Sequence, residues 1–437
     1  MRRLKRYICL VGLLALLAAA LTGCGFSDDS VEELFTLPRM TEEYTGLTQE
    51  LETLITQGYE YASPTGGRNI QSVQMADLDG DGQQEALAFF RMSSDEKPLK
   101  IFVFKIEGDS YARYCTIESS GTAIDSVYYQ DLNGDGRREL IVGWRISAEV
   151  QTVAVYTARE PVALMSSGYT RFTIQDLNGD GIPSLLVLRT DADSQPVAEF
   201  YGWQEEQMGV AYRCVLSSTM ASVNRGSLVS GRLDADTPAL YITGVDEQGM
   251  AATDILVFRQ DLGLVNLALS GSSTGVSNAV FPYRQLMPQD INGDGIIELP
   301  SPDTSWTAEQ TDGLVSWLCC NGDGQLSTVA KTYHSLSCGW YFTIPESWWD
   351  WSVETATTSI SNENQFSLAI NGDPVLSLYT ITGENRENRG RMGKRVLLRR
   401  QTATIYAGEL NDAAAYYGMD EDLLRRSFSL IVGSWSN

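Results

Sequence analysis

Four short loops carry the residues best suited to chemistry. They read Asp77-Leu-Asp-Gly-Asp-Gly-Gln-Gln-Glu85, Asp131-Leu-Asn-Gly-Asp-Gly-Arg-Arg-Glu139, Asp176-Leu-Asn-Gly-Asp-Gly-Ile-Pro-Ser184 and Asp290-Ile-Asn-Gly-Asp-Gly-Ile-Ile-Glu298. Oxygen-bearing side chains recur at loop positions 1, 3, 5 and 9, with glycine at 4 and 6. That is the donor set a hard cation such as calcium prefers. The first loop offers Asp77, Asp79, Asp81 and Glu85; the second offers Asp131, Asn133, Asp135 and Glu139. The third offers Asp176, Asn178 and Asp180, and the last Asp290, Asn292, Asp294 and Glu298. Position 7 would give its backbone carbonyl, which leaves its side chain free to vary: Gln83, Arg137, Ile182 and Ile296. The third loop is the poorest site, because Ser184 replaces the final carboxylate and Pro183 stiffens the exit.

The spacing excludes an EF-hand. That loop needs a bidentate glutamate at position 12 and a helix after it. Position 12 here is Ala88, Val142 or Ser301, and the following segments are strand-like. Asp, Asn and Gly also favour plain turns. Chance does not readily set the same acceptors at the same offsets four times.

Strands must position these loops. Before each loop lies an alternating segment such as Ser126-Val-Tyr-Tyr-Gln, and after it an apolar run: Ala86-Leu-Ala-Phe-Phe, Leu140-Ile-Val-Gly-Trp, Leu185-Leu-Val-Leu. Short β-rich runs bounded by turn residues read as strands. A third strand follows (Lys100-Ile-Phe-Val-Phe, Thr152-Val-Ala-Val-Tyr, Val197-Ala-Glu-Phe-Tyr, Asp254-Ile-Leu-Val-Phe), and then a fourth. A degenerate copy, Gly231-Arg-Leu-Asp-Ala-Asp-Thr-Pro-Ala239, fills the long gap before the last loop. It keeps the strands and not the metal ligands. Five four-stranded units result, as a repeat architecture demands. Asn321-Gly-Asp-Gly324 imitates the acidic loop, but Asn-Gly between two strands reads as a hairpin turn.

These loops resemble the calcium loops of VCBS and FG-GAP repeats, the blades of integrin-type β-propellers. The resemblance covers residues 70–335. It implies a mainly β fold, a propeller-like array of about five four-stranded blades, and three or four structural Ca²⁺ sites. The Phe-Gly and Gly-Ala-Pro elements of integrin repeats are missing, position 9 is Glu rather than Asp, and five blades replace seven.

The ends of the chain read differently. Arg2 to Arg6 and the apolar run Ile8 to Leu21 form a signal segment. Its end, Leu21-Thr22-Gly23-Cys24, resembles the bacterial lipobox, which implies lipidation of Cys24. Residues 1–23 are thus expected to be a lipoprotein signal and 24–63 a tether with a short helix. Leu47, Leu51, Leu54 and Ile55 share one helical face. Residues 64–336 form the repeat array. Residues 337–437, dense in tryptophan at the start, form a C-terminal α+β domain with strands at 365–370, 375–381 and 395–406 and a helix at 412–430. Its opening looks loosely like a small module at the end of some secreted bacterial lipoproteins.

Charge and composition narrow the function. The chain has 437 residues and counts 32 Lys+Arg against 56 Asp+Glu, a net charge of −24. Such a surface repels nucleic acid and attracts cations, so no nucleic-acid partner is expected. One local reversal runs from Arg386 to Arg400, a stretch suited to anionic lipid, wall polymer, the acidic array, or simply solvent. The five cysteines after Cys24 lack the spacing of a zinc site, and a bridge from Cys319 or Cys320 to Cys338 is open. The single histidine, His334, has no Gly-x-Ser-x-Gly elbow to accompany it, and no phosphate-cradling glycine loop is present. The expected protein is a calcium-stabilised lipoprotein at the extracytoplasmic face of the cell membrane. It would act as a binding or assembly scaffold for an envelope glycan or protein, with Trp203 or Trp306 as candidate contact aromatics. The alternative is a secreted carbohydrate-active or other hydrolase using carboxylates outside the calcium loops.

Overall fold

A computed structural model describes residues 45–108, 110–224, 226–245, 250–269, 280–281, 286–302 and 312–431. The signal segment, Cys24 and Trp306 lie outside the described residues. The protein is mainly β. Its strands form several antiparallel sheets built as four-stranded meanders. The first runs Val73–Ala76, Glu85–Arg91, Leu99–Glu107, Ser110–Ser119, with Glu60–Tyr61 added at one edge. The second runs Ala123–Gln130, Glu139–Arg145, Gln151–Tyr156, Met165–Gly168; the third Arg171–Gln175, Ser184–Thr190, Pro196–Gln204, Gln207–Val215. The fourth runs Ser227–Arg232, Pro238–Val245, Ala251–Arg259, Gly263–Asn266, with Val280–Phe281 paired to its third strand.

Successive side chains of a strand point to opposite faces. In Glu139–Arg145 this sends Leu140, Val142 and Trp144 into a core shared with Leu87, Phe89 and Ile101 of the first sheet. Ile141 turns the other way, to Leu185, Val187 and Tyr201 of the third sheet. Both faces are therefore covered, which is why the run after each loop is continuously apolar rather than alternating. The third and fourth sheets share Leu186, Leu188, Leu240 and Ile242. The fourth and fifth share Tyr241, Ile255, Leu299 and Cys320. Five sheets thus pack in chain order, each against the next.

The outer face of the first sheet is closed by the helix Thr45–Thr56. Leu47, Leu51 and Leu54 stand on one stripe and meet Ala88, Phe90, Phe102 and Phe104. Burying each leucine contributes about 1.5–3 kcal/mol. Gly58, at φ +95°, ends the helix: its N–H reaches Ile55 O at 3.0 Å and Tyr59 N–H reaches Leu54 O at 3.1 Å. That pair of bonds is a Schellman closure, which a glycine makes without steric cost. Among the described residues no core cluster joins the fifth sheet to the first.

The fifth sheet runs Leu299–Pro302, Asp312–Cys320, Leu326–Ser335, Trp340–Thr343, Phe428–Leu430. Asn321–Gln325 is its hairpin turn, with Asn321 Oδ1 accepting from Asp323 and Gln325 N–H. This sheet crosses the division placed at residue 337. Trp340–Thr343 is its fourth strand, and the chain's last described strand lies beside it. A sixth sheet, in spatial order Val353–Ile360, Glu363–Ile370, Asp373–Thr382, Thr404–Leu410, Val396–Arg400, shares one core with it through Tyr333, Trp340, Phe342, Phe366 and Leu378. The strand expected at 395–406 is a hairpin, and the helix expected at 412–430 shrinks to Glu421–Ser427. Gly418 at φ +74° interrupts the chain, and Asp420 caps the short helix by accepting from Leu423 N–H at 2.7 Å.

Trp340 and Trp348 are core residues, whereas Trp351 is 39% exposed. Four of the seven cations in the basic stretch meet three carboxylates within the domain. Arg395 pairs with Glu363 at 2.7 Å and lies over the Tyr379 ring; Arg389, Lys394 and Arg400 pair with Glu363, Asp412 and Glu387. The five described cysteines are all free. No helix among the described residues is long and apolar enough to cross a membrane.

Candidate metal centre

The first three acidic loops link the first two strands of their sheets, the last leads into the first strand of the fifth sheet, and all four share one register. The residue before position 1 pairs with position 9: Ala76 with Glu85, Gln130 with Glu139, Gln175 with Ser184, and Gln289 with Glu298. Inside the loop one hydrogen-bond skeleton repeats. The position-1 carboxylate accepts from the N–H groups of both glycines: Asp77 from Gly80 at 2.8 Å and Gly82 at 3.1 Å, Asp131 from Gly134 at 2.7 Å and Gly136 at 2.8 Å. Asp176 and Asp290 do the same. Position 5 accepts from the N–H of position 7 at 2.8 Å in every loop, through Asp81, Asp135, Asp180 and Asp294. The glycines sit at positive φ, where a side chain is strained; Gly80 and Gly82 lie at +74° and +86°.

These bonds use one oxygen of each position-5 carboxylate and leave the other for a second partner inside the loop. The position-9 glutamate behaves likewise. Its Oε2 accepts from the N–H of position 2: Leu78 at 2.8 Å, Leu132 at 2.9 Å and Ile291 at 3.0 Å. Glu85, Glu139 and Glu298 are only 2%, 3% and 1% exposed. A buried carboxylate must meet a cation or take up a proton. Burial, opposed by the N–H bond and aided by Asp135 and Asp131, pushes Glu139 up to about 7. Burial with Asp294 and Asp290 pushes Glu298 up to about 7. Burial raises Glu85 too, with Asp79 adding to it and Lys105 opposing. Oxygen donors that resist ionisation in their own company fit a hard divalent ion, whose charge reverses that balance. Side-chain oxygens of Asp77, Asp79 and Glu85 lie within 4.8 Å of one another.

The loops also lie edge to edge. Arg138 N–H of the second loop donates to Leu78 O of the first at 2.8 Å. A Cβ on Gly80 would come within 2.5 Å of Gly136 O, and one on Gly134 within 2.6 Å of the Ile182 side chain. Ser230 Oγ donates to Gln175 Oε1, and Ile297 N–H to Arg232 O at 3.1 Å. The four loops and the fourth-sheet turn form a row along one edge of the array.

That turn differs from its sequence reading. Arg232 pairs with Pro238, and Leu233 is buried like Leu78, Leu132 and Leu177. Leu233 therefore fills position 2 and Arg232 position 1, one residue later than the spacing Gly231–Ala239 assigns. The copy is a residue short. Asp234 accepts from Asp236 and Thr237 N–H, and Arg232 donates to Ala235 O, so a guanidinium stands where the other loops have aspartate.

One residue escaped the sequence reading. Lys105, on the third strand of the first sheet, puts its ammonium beside Asp79, 3.1 Å from Asp81 and 3.9 Å from Glu85. The signal for it lay in position 3, which is Asp79 here and asparagine in the other loops. In the third and last loops an asparagine amide fills the inward space: Asn178 Nδ2 reaches Asp180 at 2.7 Å, and Asn292 Nδ2 reaches Asp294 at 2.9 Å and Glu298 at 3.3 Å.

A cleft of about 630 Å³ borders the first two loops, residues 157–164 and the third-sheet turn, lined by Asp79, Asn133, Arg137, Arg159, Trp203 and Glu206 among others. Trp203 is half-buried there and its indole N–H donates to Leu132 O at 2.9 Å. His334 is 1% exposed, bonded through Nδ1 to Thr332 and stacked on Tyr341; burial drives it down to about 3, so it stays neutral.

Comparison with known proteins finds no matching family model and no matching curated protein. Among solved structures, AofleA from Arthrobotrys oligospora is similar at 9% identity, over 74% of this chain and 90% of that one, with a TM-score of 0.23. A triple arginine-to-alanine mutant of AofleA gives 9% identity, the same coverage and a TM-score of 0.24. A likeness this slight carries no argument about this chain's fold or function.

Proposed function

We propose that the acidic loops bind calcium, that the five sheets are propeller-type blades, and that the chain is a calcium-stabilised scaffold at the cell envelope. The observation that carries this reading is the repeated cradle. The same carboxylates, held by the same backbone N–H groups, recur at the same register with a buried glutamate at position 9. A bound divalent ion would offset the repulsion among these groups and fix the row of loops along one edge. The helix Thr45–Thr56 covers the first blade, which suits an open, capped array rather than a closed ring.

The metal's role in this reading is structural. A ligand at 100 times its dissociation constant adds roughly 2.7 kcal/mol per independent site. The ligand-facing surface we assign is the cleft beside Trp203, where an indole face and several side chains of both charges would meet a glycan or peptide. The lipobox resemblance at Cys24 supplies the membrane anchor and the extracytoplasmic location. Calorimetry in calcium and in chelator tests the metal. A screen of envelope glycans and peptides against the intact chain, repeated with Trp203→Ala, tests the cleft: unchanged binding in the variant sinks that assignment.

A further inference from the structure

We propose that the first loop carries its own counter-ion: Lys105 and calcium compete for the same inward carboxylate oxygens, so this loop stays metal-free while the loops at 131–139 and 290–298 fill. The inference rests on the calcium reading and assigns one loop a different occupant.

The geometry is specific to one sheet. Ala86 pairs with Phe104, Leu140 with Tyr156, Leu185 with Tyr201 and Leu299 with Leu318. The residue that follows each of these partners (Phe104, Tyr156, Tyr201 and Leu318) therefore stands at one equivalent place beside its loop. Those residues are Lys105, Thr157, Gly202 and Cys319, and only the first is charged. The strands that carry Lys105, Gly202 and Cys319 also share a register shift here, between Val103 and Phe104, Phe200 and Tyr201, and Trp317 and Leu318. The place is built alike; the side chain on it is not.

Lys105 is bonded to Asp79 and Asp81 and lies 3.9 Å from the buried Glu85, three of the four side-chain donors of that loop. An ammonium and a divalent cation cannot share those oxygens. The asparagine at position 3 of the other loops can turn either its oxygen or its nitrogen inward, whereas an ammonium offers donors only. The extra carboxylate fits the same account. Position 3 is aspartate only where the lysine stands opposite, so Asp79 and Lys105 form a matched pair.

Equilibrium dialysis against Ca²⁺ alone, with bound metal counted, tests this on the intact protein. Lys105→Gln keeps a long polar side chain and removes the charge. It is expected to bind one more ion than the wild type wherever the 131–139 and 290–298 loops are full. Affinity at the new site should be at least tenfold above any residual binding by the native loop, about 1.4 kcal/mol. Should Lys105→Gln fail to fold without metal, Asp79→Asn combined with Lys105→Gln restores the donor set of the second loop and should gain the same ion. Equal, non-zero counts in wild type and variants overturn the inference and leave the calcium reading standing. No bound calcium in any of them overturns both.

Discussion

The buried glutamates make the metal-free protein weaker as pH rises. Glu139 and Glu298 sit at about 7 against an ordinary 4.5, for the reasons of burial and neighbouring aspartates given above. A carboxyl raised on folding stabilises the fold below its unfolded value, and that contribution is lost as pH climbs through the folded one. Between pH 5 and 7 each glutamate therefore costs roughly 2 kcal/mol of stability as it is forced to ionise. His334 works the other way. It is depressed to about 3, so its contribution is present above 6.5 and declines as pH falls, by roughly 2 kcal/mol at pH 5. The aspartates held low, such as Asp81 and Asp191, titrate below this window. The assay is urea unfolding of calcium-stripped protein at pH 5, 6, 7 and 8, with Glu139→Gln/Glu298→Gln as the control that leaves His334 in place. The wild type should lose stability relative to that variant by roughly 4 kcal/mol from pH 5 to 7. Saturating calcium should reverse the trend, since the metal needs both carboxylates ionised. Parallel pH curves for the two proteins would refute the reasoning.

Asp135→Ala and Asp294→Ala should each remove one bound ion, and with it roughly 2.7 kcal/mol of calcium-dependent stabilisation at 100 times the dissociation constant, read by calcium titration of unfolding. Leu54→Ala, beneath Phe90 and Phe102, should cost about 2–5 kcal/mol in chemical unfolding, with or without calcium. Gly80→Ala meets Gly136 O at 2.5 Å from a residue at φ +74° and should cost upwards of about 1–2 kcal/mol by the same measurement.

The acidic loops, the strands around them and the count of five meanders were legible because each signal is local. Turn residues, donor types and apolar runs repeat at fixed offsets. What escaped depends on pairing across sequence. Lys105 is distant from Asp79 along the chain and becomes its neighbour only through the register of Glu85–Arg91 with Leu99–Glu107. The missing residue in the fourth turn was hidden because Gly231–Ala239 fits the spacing until Leu233 is seen buried in the place of Leu132. The division near 337 followed a change in composition, yet Trp340–Thr343 completes the fifth sheet, because a strand's partner is chosen by backbone bonds and not by its aromatic content. The short helix Glu421–Ser427 was overdrawn because Asn411–Met419 is rich in alanine; its chain turns instead, and Gly418 ends the run.

Scanning calorimetry of the intact chain, once after exhaustive chelation and once in millimolar calcium, bears most directly on the loops at 131–139 and 290–298. The expected result is an unfolding temperature several degrees higher in calcium, with the gain cut by Asp135→Ala and again by Asp294→Ala. Identical traces in the two conditions would contradict calcium binding by these loops.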